Sequence, residues 1–328
     1  MSAETRAALQ RLIVGHQAAQ AVHVAAVLGL ADLMAKEPRS AEELARETGS
    51  HEDSLHRLLR ALAALGVLHE LDDGRFELNE LGELLRSDHP QSAAGWAAFV
   101  GRPDVWAAWS ALGHSIASGE NAFTHVHGED VWSYRATRPD DSAAFDRAMV
   151  SQTLGVTESV LEVFDFSRFG TIVDVAGGTG AFLAAIVDRY PAARGILFDQ
   201  PHVVSGAELP ERCEVVAGDF FESVPAGGDA YVLKSIIHDW EDEEAAAIMH
   251  TCRAAIAPGG SLLLVERLLG SPNESPEAKL SDLNMLVAPG GRERTLDEYA
   301  ALFEAVRFRL AGATDTASGR SVIEAVPV

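Results

Sequence analysis

The chain has 328 residues, 47% of them hydrophobic, which is enough to bury a full core and to form two domains. Its 49 Asp and Glu against 26 Lys and Arg leave a formal net charge of −23, so the surface repels phosphate backbones and anionic membranes, and neither nucleic acid nor a membrane is expected as a partner. Two cysteines without C-x-x-C or metal-ligand spacing, no apolar run of transmembrane length, and a start (MSAETRAALQRLIVGHQ) without a basic-then-apolar leader set the expectation of a cytoplasmic protein.

Residues 4–35 place Leu9, Leu12, Ile13, Val22, Val24, Val27 and Leu28 at helical spacing, and His16 and His23 among them read as packed helix residues. Ser40 followed by Glu42 and Glu43 is an N-cap before an acidic first turn, and Gly49 ends that short helix. The next helix, Glu52 to Leu65, puts Leu55, Leu58, Leu59, Leu62 and Leu65 on one face. Two short apolar runs, Val67–Leu71 and Arg75–Leu78, flank Asp72-Asp73-Gly74 and predict a β-hairpin. Helix, helix, hairpin is the winged-helix arrangement. Residues 1–90, however, hold nine basic against fifteen acidic residues, and the helix that would read DNA offers only Arg57 and Arg60. Residues 1–95 therefore read as a dimerisation module whose Leu and Ala faces need a second copy.

Residues 96–165 form a set of linking helices. Trp96, Phe99, Trp106, Trp109, Phe123, Trp132, Tyr134 and Phe145 crowd into this stretch, either as an aromatic seam or as walls of an apolar, ring-shaped pocket. His125 and His127 lack a third ligand nearby, so no metal is expected there. A helix from Asp141 to Val163 carries Met149, which faces the core and suits a substrate wall.

From residue 166 onward strands and helices alternate. Thr171–Gly180 (TIVDVAGGTG) reads as strand and glycine loop, followed by a helix from Ala181 to Arg189 whose free N–H groups face a ligand. Strands then end at Asp199, Gly218-Asp219-Phe220, Lys234 and Glu266, each read as a short buried-type strand with a polar residue at its carboxyl end. This predicts an α/β domain with a doubly wound, Rossmann-like parallel sheet and its ligand at the carboxyl edge. Asp199, nineteen residues past Gly180, suits a ribose, which NAD and S-adenosylmethionine both carry. Asp219, one strand further on, is placed to meet an adenine amino group, with Phe220 beside the ring. No second mononucleotide half follows, and Arg307–Leu310 with Ser321–Val326 look like a closing hairpin. Together these favour S-adenosylmethionine over a dinucleotide.

In that order DVAGGTG, FDQPHV, GDFF, KSIIHDWEDEE, VER and GGRERT resemble the plant-type and bacterial class I O-methyltransferases. Members of that family use S-adenosylmethionine, release S-adenosylhomocysteine and require no metal; they methylate caffeate, flavonoids, hydroxyindoles and polyketides such as anthracyclines. The resemblance spans nearly the whole chain and implies an intertwined homodimer acting on a small aromatic natural product in antibiotic or other secondary metabolism. It implies His238 as general base, with Glu266 and Glu293 flanking and orienting it. It implies Asp174, Ala176, Gly178, Asp199, Asp219, Phe220 and Lys234 at the cofactor, and Met149, Asp239, Trp240 and Met285 at the acceptor. The alternative is an enzyme of the same scaffold, a hydroxylase or decarboxylase, that binds the cofactor without transferring methyl. One departure stands out: the first glycine of the family's loop is Ala176 here. The expected organisation is 1–95, 96–165 and 166–328.

Overall fold

The structure is a computed structural model that describes residues 2–328. The chain divides into two units, one running to Trp106 and including Asp140–Gly155, the other comprising Ala107–Pro139 and Val156–Val328.

In the first unit, Ser40 caps the helix Ala41–Thr48 by accepting the Glu43 N–H at 3.2 Å, while the Glu43 carboxylate accepts the Ser40 N–H at 2.8 Å. This reciprocal box satisfies two of the helix's free donors. The helix Glu52–Ala64 buries Leu55, Leu59 and Leu62, but Leu65, expected on that face, is the C-cap residue and is exposed. Strands β1 (Leu68–Glu70) and β2 (Phe76–Leu78) pair as the predicted hairpin, and Arg39 bridges the buried Phe76 on the far side. Of the two histidines read as packed, His23 is half-buried with its Nδ1 3.2 Å from the Ala97 carbonyl, whereas His16 is exposed and only meets the edge of Trp106. The helix Ala3–Ile13 buries none of its residues, and Leu9, Leu12 and Ile13 lie open to solvent.

The second unit is built on strands β3 (Thr171–Val175), β4 (Arg194–Asp199), β5 (Cys213–Ala217), β6 (Ala230–Lys234), β7 (Ser261–Glu266), β8 (Phe308–Asp315) and β9 (Ser321–Pro327), in the order β5-β4-β3-β6-β7-β9-β8. Strands β3 to β7 are parallel, and β9 runs antiparallel to both β7 and β8. Alternate residues feed alternate faces. Val173, Leu262 and Leu264 join the core under the helices Asp242–Ala255 and Leu296–Ala305, whereas Ile172, Leu263 and Val265 join the core under Ala181–Arg189. Each fully buried aliphatic side chain contributes about 1.5–3 kcal/mol. The buried-type reading fails at β5: it is the sheet edge, with Glu214, Val215 and Ala217 exposed. A short apolar run does not tell a central strand from an edge; only the strand order does. Among the described residues no helix is long and apolar enough to cross a membrane.

Candidate active site

The strand order decides what meets at the carboxyl edge. From β3 the chain winds outward through β4 and β5, then returns to β6 on the other side, leaving a crevice where the winding reverses. Asp174 in β3 and the ends of β4, β6 and β7 bring Asp174, Asp199, Lys234 and Glu266 to one edge. In the loop, Gly177 has no room for a side chain, since a Cβ there would come within 2.6 Å of the Asp174 carboxylate and of Leu197. The Gly178 N–H donates to Asp199 Oδ2 at 2.9 Å, and the Gln200 N–H donates to Oδ1 at 2.6 Å, so the acid at the end of β4 is locked to the loop. Asp174 is buried with one carboxylate oxygen unpartnered; burial pushes its pKa up to about 7 and that of neighbouring Lys234 down to about 8. Asp219 is exposed at the same edge and turns its carboxylate to the Phe221 N–H at 2.8 Å, closing the turn after β5.

Ala176 sits at φ +55°, in the left-handed region that glycine occupies freely, while its N–H donates to the Phe198 carbonyl at 2.7 Å. An alanine there costs about 1–2 kcal/mol, against the about 0.4–1 kcal/mol that it saves in unfolded-chain entropy. Ala176→Gly is therefore expected to raise the thermal midpoint by about 1–2 °C in a melting experiment; a lower midpoint would show that the methyl group makes a contact worth more than the strain.

Beyond β6 the chain forms a single 3₁₀ turn, Ile237–Asp239, which carries His238. His238 is buried. Its Nδ1 lies 3.0 Å from Glu293 Oε1 and 3.4 Å from Glu266 Oε2, and its Nε2 lies 3.5 Å from Asp239 Oδ1. The two glutamates make different contacts. Glu266 Oε1 accepts the N–H groups of Ile236 and Ile237 at 3.0 and 2.9 Å and so anchors the turn. Glu293 Oε1 also accepts the Ser281 hydroxyl at 2.7 Å, its own N–H donates to Asp282 at 3.0 Å, and it makes the short contact to the imidazole. Burial alone would lower the basicity of His238, but the carboxylates of Glu266, Glu293 and Asp239 outweigh it and push its pKa up to about 10. Burial raises Glu266 and takes Asp239 up to about 7; for Glu293 the same burial is overcome by His238, which holds it below the usual carboxylate range. A carboxylate at Nδ1 demands a proton there and leaves Nε2 as the atom that can take another.

An aromatic wall stands beside this turn. Trp240 stacks on Trp132 at 6.1 Å and meets Phe220 and Phe221 edge-on at 6.0 and 4.9 Å. Met285 is buried on the helix Pro276–Val287, which also supplies Ser281 and Asp282. Met149 lies in the first unit among Trp96, Phe99 and Phe145. His125 stacks on His114 and His127 leans on Phe123. Among the described residues, His238, Glu266 and Glu293 are the group spaced to hold a metal ion, although Nδ1 and Glu293 Oε1 already engage each other. The sequence reading missed Ser281, Asp282, Gly291 and Arg294. The available signals were the four-residue spacing of Ser281 and Met285, and the place of Gly291 and Arg294 beside Glu293 in GGRERT.

Five parallel strands closed by a reversed one, with a glycine loop locked to the acid of the next strand, make the sheet of a class I S-adenosylmethionine-dependent methyltransferase. Residues 109–309 match the O-methyltransferase domain, and residues 10–88 match the O-methyltransferase dimerisation domain. The chain is 41% identical over 327 residues to the phenazine O-methyltransferase PhzM of Lysobacter antibioticus, covering 98% of this chain and 96% of that one. It is 42% identical over 315 residues to the 3-amino-4-hydroxybenzoate 4-O-methyltransferase of Streptomyces cremeus, covering 93% and 86%. The crystal structure of human N-acetylserotonin methyltransferase in complex with S-adenosylmethionine superimposes with a TM-score of 0.93 at 26% identity, covering 100% of this chain and 99% of that one. The chain belongs to the O-methyltransferase family and is an S-adenosylmethionine-dependent O-methyltransferase of natural-product biosynthesis. These relatives do not favour the non-methylating alternative.

Proposed function

We propose that the enzyme methylates a phenolic hydroxyl of a small aromatic acceptor, with His238 as general base. The observation that carries this is the buried contact of His238 Nδ1 with Glu293 at 3.0 Å, which holds a proton on Nδ1 and makes Nε2 the atom that exchanges one. The activities of the two bacterial relatives, on a phenazine and on an aminohydroxybenzoate, support an aromatic acceptor.

The residues at the carboxyl edge fit S-adenosylmethionine. The unpartnered, buried oxygen of Asp174 and the cradle at Gly177 suit the amino-acid end beside Ala176, Gly178 and Lys234. Asp199 suits the ribose hydroxyls, and Asp219 with Phe220 suits the adenine. When bound, S-adenosylmethionine supplies an electrophilic methyl group, so the chemistry needs no metal. Asp239, Trp240 and Met285 shape the acceptor's surroundings and hold its oxygen in line. His238 takes the hydroxyl proton at Nε2 while Glu293 steadies the imidazolium from Nδ1. A phenol has a pKa of about 10, matched by that of His238, so the proton moves with little uphill cost. The exposed Leu12 and Ile13, within the matched dimerisation domain, and Leu9 just before it form part of a homodimer interface.

Incubation with S-adenosylmethionine and a panel of phenols, including 3-amino-4-hydroxybenzoate, hydroxyphenazines and hydroxynaphthoates, tests the proposal by mass spectrometry. One O-methyl group per molecule of S-adenosylhomocysteine is expected. An oxygenated or decarboxylated product without S-adenosylhomocysteine would sink it.

A further inference from the structure

We propose that Arg294 is a positioning residue for the general base, its guanidinium tying together the two ends of the turn that carries His238. The proposal rests on the reading of His238 as base. Arg294 is 1% exposed, in a chain whose other arginines mostly face water. Its Nη1 donates to the Ile237 carbonyl at 3.1 Å and its Nη2 donates to the Trp240 carbonyl at 2.8 Å. These carbonyls bracket His238 and Asp239. Nε and Nη2 also donate to Asp242 Oδ1, at 3.1 and 2.8 Å, so the first turn of the following helix is held by the same group.

A planar fork with five donors at fixed angles sets the distance between the carbonyls it binds; a lysine ammonium has no such geometry. Glu266 does the complementary work at the start of the turn, binding the N–H groups of Ile236 and Ile237. The turn is thus held by its donors from β7 and by its acceptors from the loop 290–294.

That loop is one short strap with three functions. Gly291 lies so close to the His238 and Asp239 backbone that a Cβ would run into the His238 carbonyl. Glu293 supplies the carboxylate at Nδ1, and Arg294, the next residue, grips the turn. Imidazole, carboxylate and backbone are therefore placed relative to one another by five consecutive residues. A slip of about 1 Å in such an arrangement costs about 100-fold in rate. Removing the fork leaves Glu293 present but frees the ring it orients.

The test uses the full-length enzyme with the best-methylated phenol of the panel. Turnover is expressed per S-adenosylmethionine-binding site counted by calorimetry, so misfolded protein does not enter. Arg294→Met is expected to lower kcat per site by about 10- to 100-fold with KM for S-adenosylmethionine within about threefold. Arg294→Lys is expected to recover little of this, because charge alone does not restore the fork. In a His238→Ala background the same Arg294→Met change is expected to cost less than about twofold, since a residue acting through the base has nothing left to position. Wild-type kcat per site in Arg294→Met, or an equal loss in the His238→Ala background, would overturn the proposal. Should Arg294→Met fail to fold, Asp242→Asn loosens the same guanidinium from its exposed side. It is expected to lower kcat per site by about 3- to 10-fold, again only when His238 is present, and an unchanged rate is equally fatal. A His238→Ala enzyme at wild-type rate removes the base reading and this proposal with it. A slow His238→Ala beside a wild-type Arg294→Met overturns this proposal alone.

Discussion

His238→Ala is expected to lower kcat by about 10²- to 10⁴-fold while leaving the Kd for S-adenosylmethionine within about twofold. The size follows from the general-base role, and the split from the geography: His238 sits on the turn after β6, whereas the loop and acid read as gripping the cofactor come from β3 and β4. Methylation kinetics at saturating phenol, with calorimetric titration of S-adenosylmethionine, measure the two halves separately. Wild-type turnover in this variant would end the base assignment. The pH dependence supplies a sign. His238 is protonated below its raised pKa and can accept a proton only above it, so kcat/KM climbs with pH into the alkaline range. Glu293 is one of the charges that raise it, so Glu293→Gln is expected to lower that pKa and move the rising limb to lower pH. A limb that stays where it was would show that Glu293 does not set the basicity of the ring.

The second large effect is expected at Asp199. Asp199→Ala removes the carboxylate proposed to accept the two ribose hydroxyls; at about 1.5–3 kcal/mol for each such charge-assisted bond, the Kd for S-adenosylmethionine should rise by about 10²-fold or more. It also frees the Gly178 and Gln200 N–H groups that Asp199 now holds, so the loop loses its tie to β4. At saturating cofactor the rate should fall far less than the affinity, because the base and its carboxylate are untouched. An unchanged Kd would mean that the ribose is held elsewhere.

Much of this was legible along the chain because the signals are local. Ser40 with Glu43 announces a capping box, Asp72-Asp73-Gly74 a hairpin, and TIVDVAGGTG a strand, loop and helix, since each depends on neighbours within a few residues. The same holds for Ala176, which the sequence marks as the departure. That it sits at φ +55° follows from the loop it must complete. The misread elements were those whose surroundings are distant. β5 has the composition of an inner strand and lies at the edge, and Leu65 has the right spacing for the core but falls past the last helical residue.

The sequence by itself determined the two kinds of domain, the doubly wound sheet, the glycine loop and the family, because periodicity, turn chemistry and motif order survive without coordinates. Only the tertiary structure decided which glutamate bonds the imidazole. Glu266 and Glu293 both face His238 Nδ1, but Glu266 turns one oxygen to backbone N–H groups and stands 3.4 Å from the ring, while Glu293 bonds it at 3.0 Å across a separation of 55 residues. It also turned Arg294 from an arginine in a motif into a buried clamp. A hydrogen bond over such distances is set by strand order and loop path, and no local propensity encodes which donor will find which acceptor there.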